Sequence, residues 1–336
     1  MRFILYEEMV GFPSFGIQIP VRNDRVFRTL EELARSPEAN THLEENLDRV
    51  VREQITREDL LRVHDPGYVE RLYSPAVEEA MKEAYELVDE EGNYRRYDPA
   101  AAEFPLAGLF DQALLRTAGT LQCIRSALPE GFAFFFSGGM HHAHASFGHG
   151  FCPINDTVIA LRRLQAEGQI SSAWILDSDA HKGDGTAALT AGDDSIRTFS
   201  IHMAEGWPLD LTEYDPEGSR HPSFVPSDVD VPVAEAETDS YLEKLTAGLK
   251  QMDRFGRPDV AVVLFGADPY EHDMLESAQK MKLSLEALAR RDEIIYRFLA
   301  DRGIPAAYLM AGGYGPRAWE VYHQFLLRVL TGELSR

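Results

Sequence analysis

The chain has 336 residues, with 33 Lys and Arg against 55 Asp and Glu, for a formal net charge of -22. That balance argues against direct nucleic-acid binding, because phosphate repulsion would have to be overcome by a basic patch and none is evident; cationic or lysine-rich partners are favoured. No apolar run is long enough to cross a bilayer, and two cysteines, Cys123 and Cys152, are too few for a disulfide scaffold. Residues 1–6 predict an immediate strand rather than a secretory signal, since acidic Glu7 and Glu8 follow with no extended apolar stretch. A cytoplasmic location is the economical expectation.

Further along, the acid-rich segments 44–48 and 78–83 read as solvated helix surface, and amphipathic patterning predicts helices over 56–72 and 106–127. Residues 132–136, Phe-Ala-Phe-Phe-Phe, predict a strand that ends at Gly138 and Gly139. Residues 173–176 predict another, entered from Ser172. An almost uninterrupted apolar run over 259–265 has the character of a buried parallel strand, a helix is predicted over 284–302, and a last strand over 306–310. Alternation of such elements predicts an α/β protein, a three-layer α/β/α sandwich around a mostly parallel sheet. No linker, repeat or low-complexity segment interrupts it, so one domain is expected over residues 1–336.

Four of the strands end in glycine-rich turns that carry reactive side chains. Asp177, Asp179, His181 and Asp184 follow the strand at 173–176, and this cluster can supply two metal ligands with a supporting carboxylate. The turn after 132–136 carries His141 and His142, whose tautomers need partners that Asp177 and Asp184 can provide. Asp268 follows 259–265 as a third ligand, and Tyr314 follows Gly312 and Gly313 after 306–310. Ligands bind outside the carboxyl ends of the strands in open parallel sheets, which makes this grouping a functional-site candidate.

Longer motifs carry a resemblance. Ser137-Gly138-Gly139-Met140-His141-His142-Ala143, Gly150-Phe151-Cys152-Pro153-Ile154-Asn155-Asp156, Asp177 through Thr186, Gly266-Ala267-Asp268-Pro269 and Gly312-Gly313-Tyr314 stand in the order found in the histone deacetylase superfamily. That superfamily also contains acetylpolyamine amidohydrolases and acetoin-utilisation proteins. The resemblance implies zinc, or Fe2+ in the cell, on Asp179, His181 and Asp268, with an open position that activates water and polarises a carbonyl. It implies His142 as general base and then acid, backed by Asp184, and His141 as an electrostatic partner, backed by Asp177. Tyr314 would donate to the developing oxyanion. For the substrate it implies Phe151 and Trp207 as tunnel walls, the Gly150 carbonyl as acceptor, Leu275 at the rim, and Arg22 at an internal acetate channel; Glu103 and Glu276 are further rim candidates that could recruit a cation. A structural K+ or Na+ is implied near Asp177, Asp179, His181, Ser200 and Ile201.

Departures bear on the rim. Lys182 stands where a second histidine is frequent, the segment 314–319 is short, and residues 203–227 keep few of the glycines expected there. A ureohydrolase with two manganese ions would need a carboxylate at the position of Gly183, which cannot ligate. A silent acetyl-binding module would not require both histidines and Tyr314. The implied activity is therefore zinc-dependent removal of an acetyl or acyl group from an amine nitrogen, acyl-lysine ahead of acetylpolyamines and other small amines, with a homo-oligomer left open. Leucine at 275 favours lysine, because a carboxylate there would attract the distant ammonium of a polyamine.

Overall fold

The computed structural model describes every residue except Glu8, residues 21–23, Glu90 and residues 335–336. Eight strands form one sheet: β1 (Arg2–Ile4), β2 (Leu47–Asp48), β3 (Phe132–Phe135), β4 (Ala173–Asp177), β5 (Ile196–Met203), β6 (Val229–Val233), β7 (Val260–Phe265) and β8 (Ala306–Met310). Their order is β2-β1-β3-β8-β7-β4-β5-β6, and every pairing is parallel, so the mostly parallel sheet expected is wholly parallel among the described residues. Pro232, which cannot donate to a ladder, falls on the edge strand β6.

Alternate residues of the central strands enter two cores. Phe132, Phe134, Trp174, Leu176, Phe265 and Tyr308 pack with Leu288, Ile295 and Leu299 of the helix Leu285–Ala300 and with Val321 and Phe325 of Ala318–Leu330. Ala133, Phe135, Ile175, Val262, Leu264 and Leu309 pack on the opposite face with the helices Gly108–Glu130 and Asp156–Ala166. Burial on both faces explains why these strands read as continuous apolar runs and makes the molecule a three-layer sandwich. A third apolar cluster, including Phe12, Phe15, Tyr68, Met81, Tyr85 and Phe110, anchors the amino-terminal segments beside Met140 and Ile154. Among the described residues no helix is long and apolar enough to cross a membrane.

Two sequence expectations fail for local reasons. The helix expected over 56–72 is two helices, Arg57–Leu61 and Pro66–Leu72, because Pro66 lacks an N–H and forces Asp65 into an extended conformation at ψ 141°. The acidic stretch 44–48 is not all helix: Pro37–Asn46 ends before Leu47, and Leu47–Asp48 pairs with Phe3 and Ile4.

The break after Leu61 turns His64 inward. It is buried, with Nδ1 2.8 Å from the His144 carbonyl and Nε2 accepting from the Asn155 N–H at 3.2 Å. One nitrogen must therefore donate while the other accepts, which fixes a neutral tautomer. Burial, opposed only in part by the His144 carbonyl, lowers its pKa to about 4 from 6.5. The unfolded chain then binds the extra proton between these values, so stability is complete above pH 6.5 and lost as pH falls toward 4. Up to about 3 kcal/mol is at stake. Melting temperatures measured from pH 7 to 4 should fall less steeply in His64→Gln than in the wild type. Equal slopes would show that His64 does not titrate with folding.

Chain order creates the site. After β3 the chain bypasses the neighbouring position and enters β4 farther along the sheet, and β7 and β8 later fill the space between. The carboxyl ends of β3, β8, β7 and β4 thus lie side by side at a topological switch point, and each feeds one of the glycine-rich turns.

Candidate metal-dependent active site

The turn after β3 is held by a buried acid. Asp156 accepts from the Gly139 N–H at 2.9 Å, the Met140 N–H at 2.7 Å and the Thr120 hydroxyl at 2.6 Å. Gly138 and Gly139 have φ of 91° and 79°, left-handed values that let successive N–H groups face one carboxylate. The turn then delivers two adjacent imidazoles, with ring centroids 3.9 Å apart and planes tilted by 50°.

These histidines have different partners. His141 Nδ1 lies 2.7 Å from Asp177 Oδ2, and its Nε2 lies 3.9 Å from Asp179 Oδ1. Burial depresses its pKa, but Asp177 and Asp179 outweigh burial and hold it up at about 9. His142 Nδ1 lies 2.7 Å from Asp184 Oδ1. Burial and the charge on His141 push His142 well below its usual value. The two rings are thus biased in opposite directions, His141 toward the charged form and His142 toward the neutral one.

Asp184 is also approached by His144 Nε2 at 3.1 Å, by His149 Nε2 at 3.0 Å and by the Ser223 hydroxyl. Burial opposes its charge, yet the imidazoles hold its carboxyl well below the ordinary range. His144, His149 and Ser223 were not identified from sequence. Four histidines within nine residues, 141 to 149, were a legible signal; Ser223, in the glycine-poor loop, was not.

Asp179, His181 and Asp268 meet between the ends of β4 and β7. His181 Nδ1 lies 3.1 Å from Asp179 Oδ1 and 3.1 Å from Asp268 Oδ2, all three side chains are buried, and their donor atoms lie within 4.8 Å of one another. A single ring proton cannot bond both acids well, whereas a cation between them satisfies all three groups. Two carboxylate oxygens and one imidazole nitrogen suit Zn2+ or another first-row divalent ion. His181 Nε2 lies 3.0 Å from the Ser277 hydroxyl, which fixes the ring and leaves Nδ1 free to ligate. Arg291, fully buried on the helix Leu285–Ala300, donates from Nη1 to the carbonyls of Ser178 at 3.2 Å and Gly266 at 2.7 Å. It thereby ties together the turns that carry Asp179 and Asp268.

Tyr314 lies at the mouth of the cluster. Its backbone N–H donates to Asp273 Oδ2 at 2.7 Å, and Asp273 Oδ1 accepts from the Leu275 N–H at 2.8 Å, so one buried acid fixes both positions. Burial, with Asp179 and Asp268 adding to it, raises the phenol well above its ordinary pKa. The shortened segment after Tyr314 has not carried it away from the acids.

Two cavities meet at these residues. The outer one, about 470 Å³, is lined by His142, Gly150, Phe151, His181, Trp207, Leu275, Glu276 and Tyr314, among others. Glu103 is not brought there: it is exposed, and its N–H closes onto the Ser14 carbonyl at 2.8 Å. The inner cavity, about 130 Å³, runs from His141, His142 and Asp179 past Gly312 to Leu5, Met9, Phe12 and Arg116. Arg22 lies outside the described residues. Arg25, missed from sequence, lines the inner cavity and donates to the Gly313 carbonyl at 2.8 Å. Asp177 and Ser200 pair across β4 and β5, which brings together part of the expected monovalent-cation set. Lys182 is buried beside Asp230 and Asp184, and burial lowers its pKa.

A parallel α/β sheet with an acid–imidazole cluster at its switch point defines the class, and the comparisons narrow it. The histone deacetylase domain model matches residues 19–330, and the chain belongs to the histone deacetylase family, which makes it a deacetylase-family enzyme. It is 31% identical over 223 residues to an uncharacterised Picosynechococcus protein, covering 66% of this chain and 69% of that one. Histone deacetylase 2 of Arabidopsis thaliana is 28% identical over 261 residues, 76% of this chain and 60% of the plant protein. The acetoin utilization protein AcuC of Staphylococcus aureus is 28% identical over 296 residues, 83% of this chain and 70% of that one. Among solved structures, a histone deacetylase homolog from Aquifex aeolicus has the same fold, with a TM-score of 0.70 at 22% identity over 98% of this chain and 84% of its own. A homolog complexed with SAHA gives a TM-score of 0.69 at 22% identity, over 99% of this chain and 84% of its own.

Proposed function

We propose that the chain is one catalytic domain that hydrolyses the amide of an acylated lysine side chain, the acyl group being acetyl in the simplest case, with zinc held by Asp179, His181 and Asp268. The observation that carries this reading is the convergence of two carboxylates on His181 Nδ1, at 3.1 Å each, where the two cavities meet beside His141, His142 and Tyr314. When bound, the ion supplies Lewis-acid polarisation of the carbonyl and a water of lowered pKa.

The protein's own groups do the rest. His142 commits Nδ1–H to Asp184, so Nε2 accepts the proton of the attacking water and passes it to the leaving nitrogen as the C–N bond breaks. His141, charged through Asp177, stabilises negative charge beside it. The Tyr314 phenol, kept protonated by burial, donates to the oxyanion. Phe151 and Trp207 flank the lysine stem, and the Gly150 carbonyl accepts the substrate N–H. Acetate leaves through the inner cavity past Arg25. A monovalent cation near Asp177 and Ser200 supports the ligand turn. Complex formation of a homolog with SAHA agrees with this reading. Gly183 argues against a second metal of the ureohydrolase kind, since even a Cβ there would meet Asp177 Oδ2 at 2.3 Å.

Lysine is preferred to polyamines because Leu275, buried against the mouth, presents no charge to a distant ammonium. Catalytic efficiencies for acetyl-lysine peptides and acetylspermidine, with metal content determined alongside, test this. The wild type should favour the peptide, and Leu275→Glu should move the ratio toward acetylspermidine. A wild-type preference for acetylspermidine of roughly tenfold, about 1.4 kcal/mol of transition-state discrimination, would replace the lysine assignment with a polyamine one.

A further inference from the structure

Among the described residues, three that are not glycine adopt left-handed backbone conformations: Glu86 at φ 54°, Arg96 at φ 56° and Phe151 at φ 66°. All three line the outer cavity. Such conformations are unfavourable for side-chain-bearing residues and persist where the surroundings impose them, often at ligand sites. Phe151 is accounted for by the lysine stem. Glu86 and Arg96 belong to a separate loop that the reaction does not use.

The backbone of that loop is anchored on either side of its arginines. Tyr85 and Leu87 are fully buried at its base. The Arg95 N–H donates to the Leu87 carbonyl at 2.8 Å, and the Arg96 carbonyl accepts from the Gln18 N–H at 2.8 Å, so the pair is fastened from both sides. Arg95 and Arg96 both line the mouth, and neither forms an ion pair with an acid among the described residues. Lys280, across the cavity, lies 3.4 Å from Glu205. Glu86, Asp210 and Glu276 also face the mouth, so an anion gains only if it is set directly against the guanidiniums. Planar guanidinium groups suit the planar fork of a carboxylate.

We propose that Arg95 and Arg96 bind a carboxylate carried on the amine side of the substrate, so that the preferred acyl-lysine has a negative group next to it. This rests on the acyl-lysine reading above and adds what the mouth selects. The carboxylate can be the α-carboxylate of a terminal or free acyl-lysine, or the side chain of an adjacent Asp or Glu.

The test compares kcat/KM of the metal-replete full chain for three acetyl-lysine compounds: a neutral amide-capped peptide, the same peptide ending in a free carboxylate on the acetyl-lysine, and an amide-capped peptide with Asp following it. At least one anionic form should exceed the neutral one roughly fivefold or more at low salt, as for a charge-assisted pair at a partly exposed rim. The ratio should fall to about one in the double variant Arg95→Gln, Arg96→Gln. Which anionic form wins identifies the source of the carboxylate. Equal rates for all three, or a preference that survives the double substitution, overturns the proposal and leaves the acyl-lysine reading intact. Failure to hydrolyse any of the three removes that reading, and this one with it.

Discussion

Asp179→Ala and His181→Ala are each expected to yield folded protein that carries no divalent ion and shows no measurable deacetylation, where the wild type carries one ion per chain. The candidate ligand atoms come from two turns and only three side chains, so losing one would leave a pair of donors too few to hold an ion against chelation. Elemental analysis after dialysis reads the metal, and circular dichroism checks the fold. Ser277→Ala provides a graded comparison: it leaves every ligand in place but frees the His181 ring, and a loss of roughly tenfold to a hundredfold in metal affinity is expected for such a supporting contact. Hydroxamates should inhibit the wild type by chelating through two oxygens. Two ions per active chain, or full activity after exhaustive chelation, would contradict the one-metal reading.

The reach of the sequence is set by distance along the chain. Asp179, His181, Asp268, His141, His142 and Tyr314 were legible because each follows an apolar run, a glycine lies close by, and the parallel sheet brings such turns to one edge. Ser277 and Arg291 were not, since their partners lie 96 and 113 residues away and nothing local marks a serine or arginine on a helix face as aimed at another turn. Arg25 illustrates the same limit: a nearby arginine, Arg22, matched the expected motif, while contact with Gly313 depends on how the helix Asp24–Leu33 packs. Of the two glutamates expected at the rim, Glu276 lines it and Glu103 does not, while Glu86, Arg95 and Arg96 add charge there that no periodicity reveals, Glu86 and Arg96 through left-handed backbone conformations. The split of residues 56–72, in contrast, was readable, because Pro66 with Asp65 before it is a breaker that amphipathic spacing masked.

Tyr314→Phe should lower kcat on the order of a hundredfold or more while leaving the bound metal unchanged, as expected when an oxyanion donor worth roughly 3 kcal/mol is removed. The substitution isolates the hydroxyl. The residue is fixed through its backbone N–H on Asp273, and its ring lies 6.3 Å from that of Phe151, so Phe at 314 keeps both the anchor and the packing. Because the oxyanion exists only in the transition state, kcat and kcat/KM should fall together and KM should hardly move. His142→Ala should cost a comparable factor through a different route, by removing the proton carrier, and should change the pH profile as well as its height. Tyr314→Phe should leave the profile's shape alone, since the phenol is held protonated well above the working range by its burial and by Asp179 and Asp268. A Tyr314→Phe enzyme with near-wild-type turnover would mean that oxyanion stabilisation rests on the metal alone, and the phenol would then be reassigned to substrate packing beside Phe151.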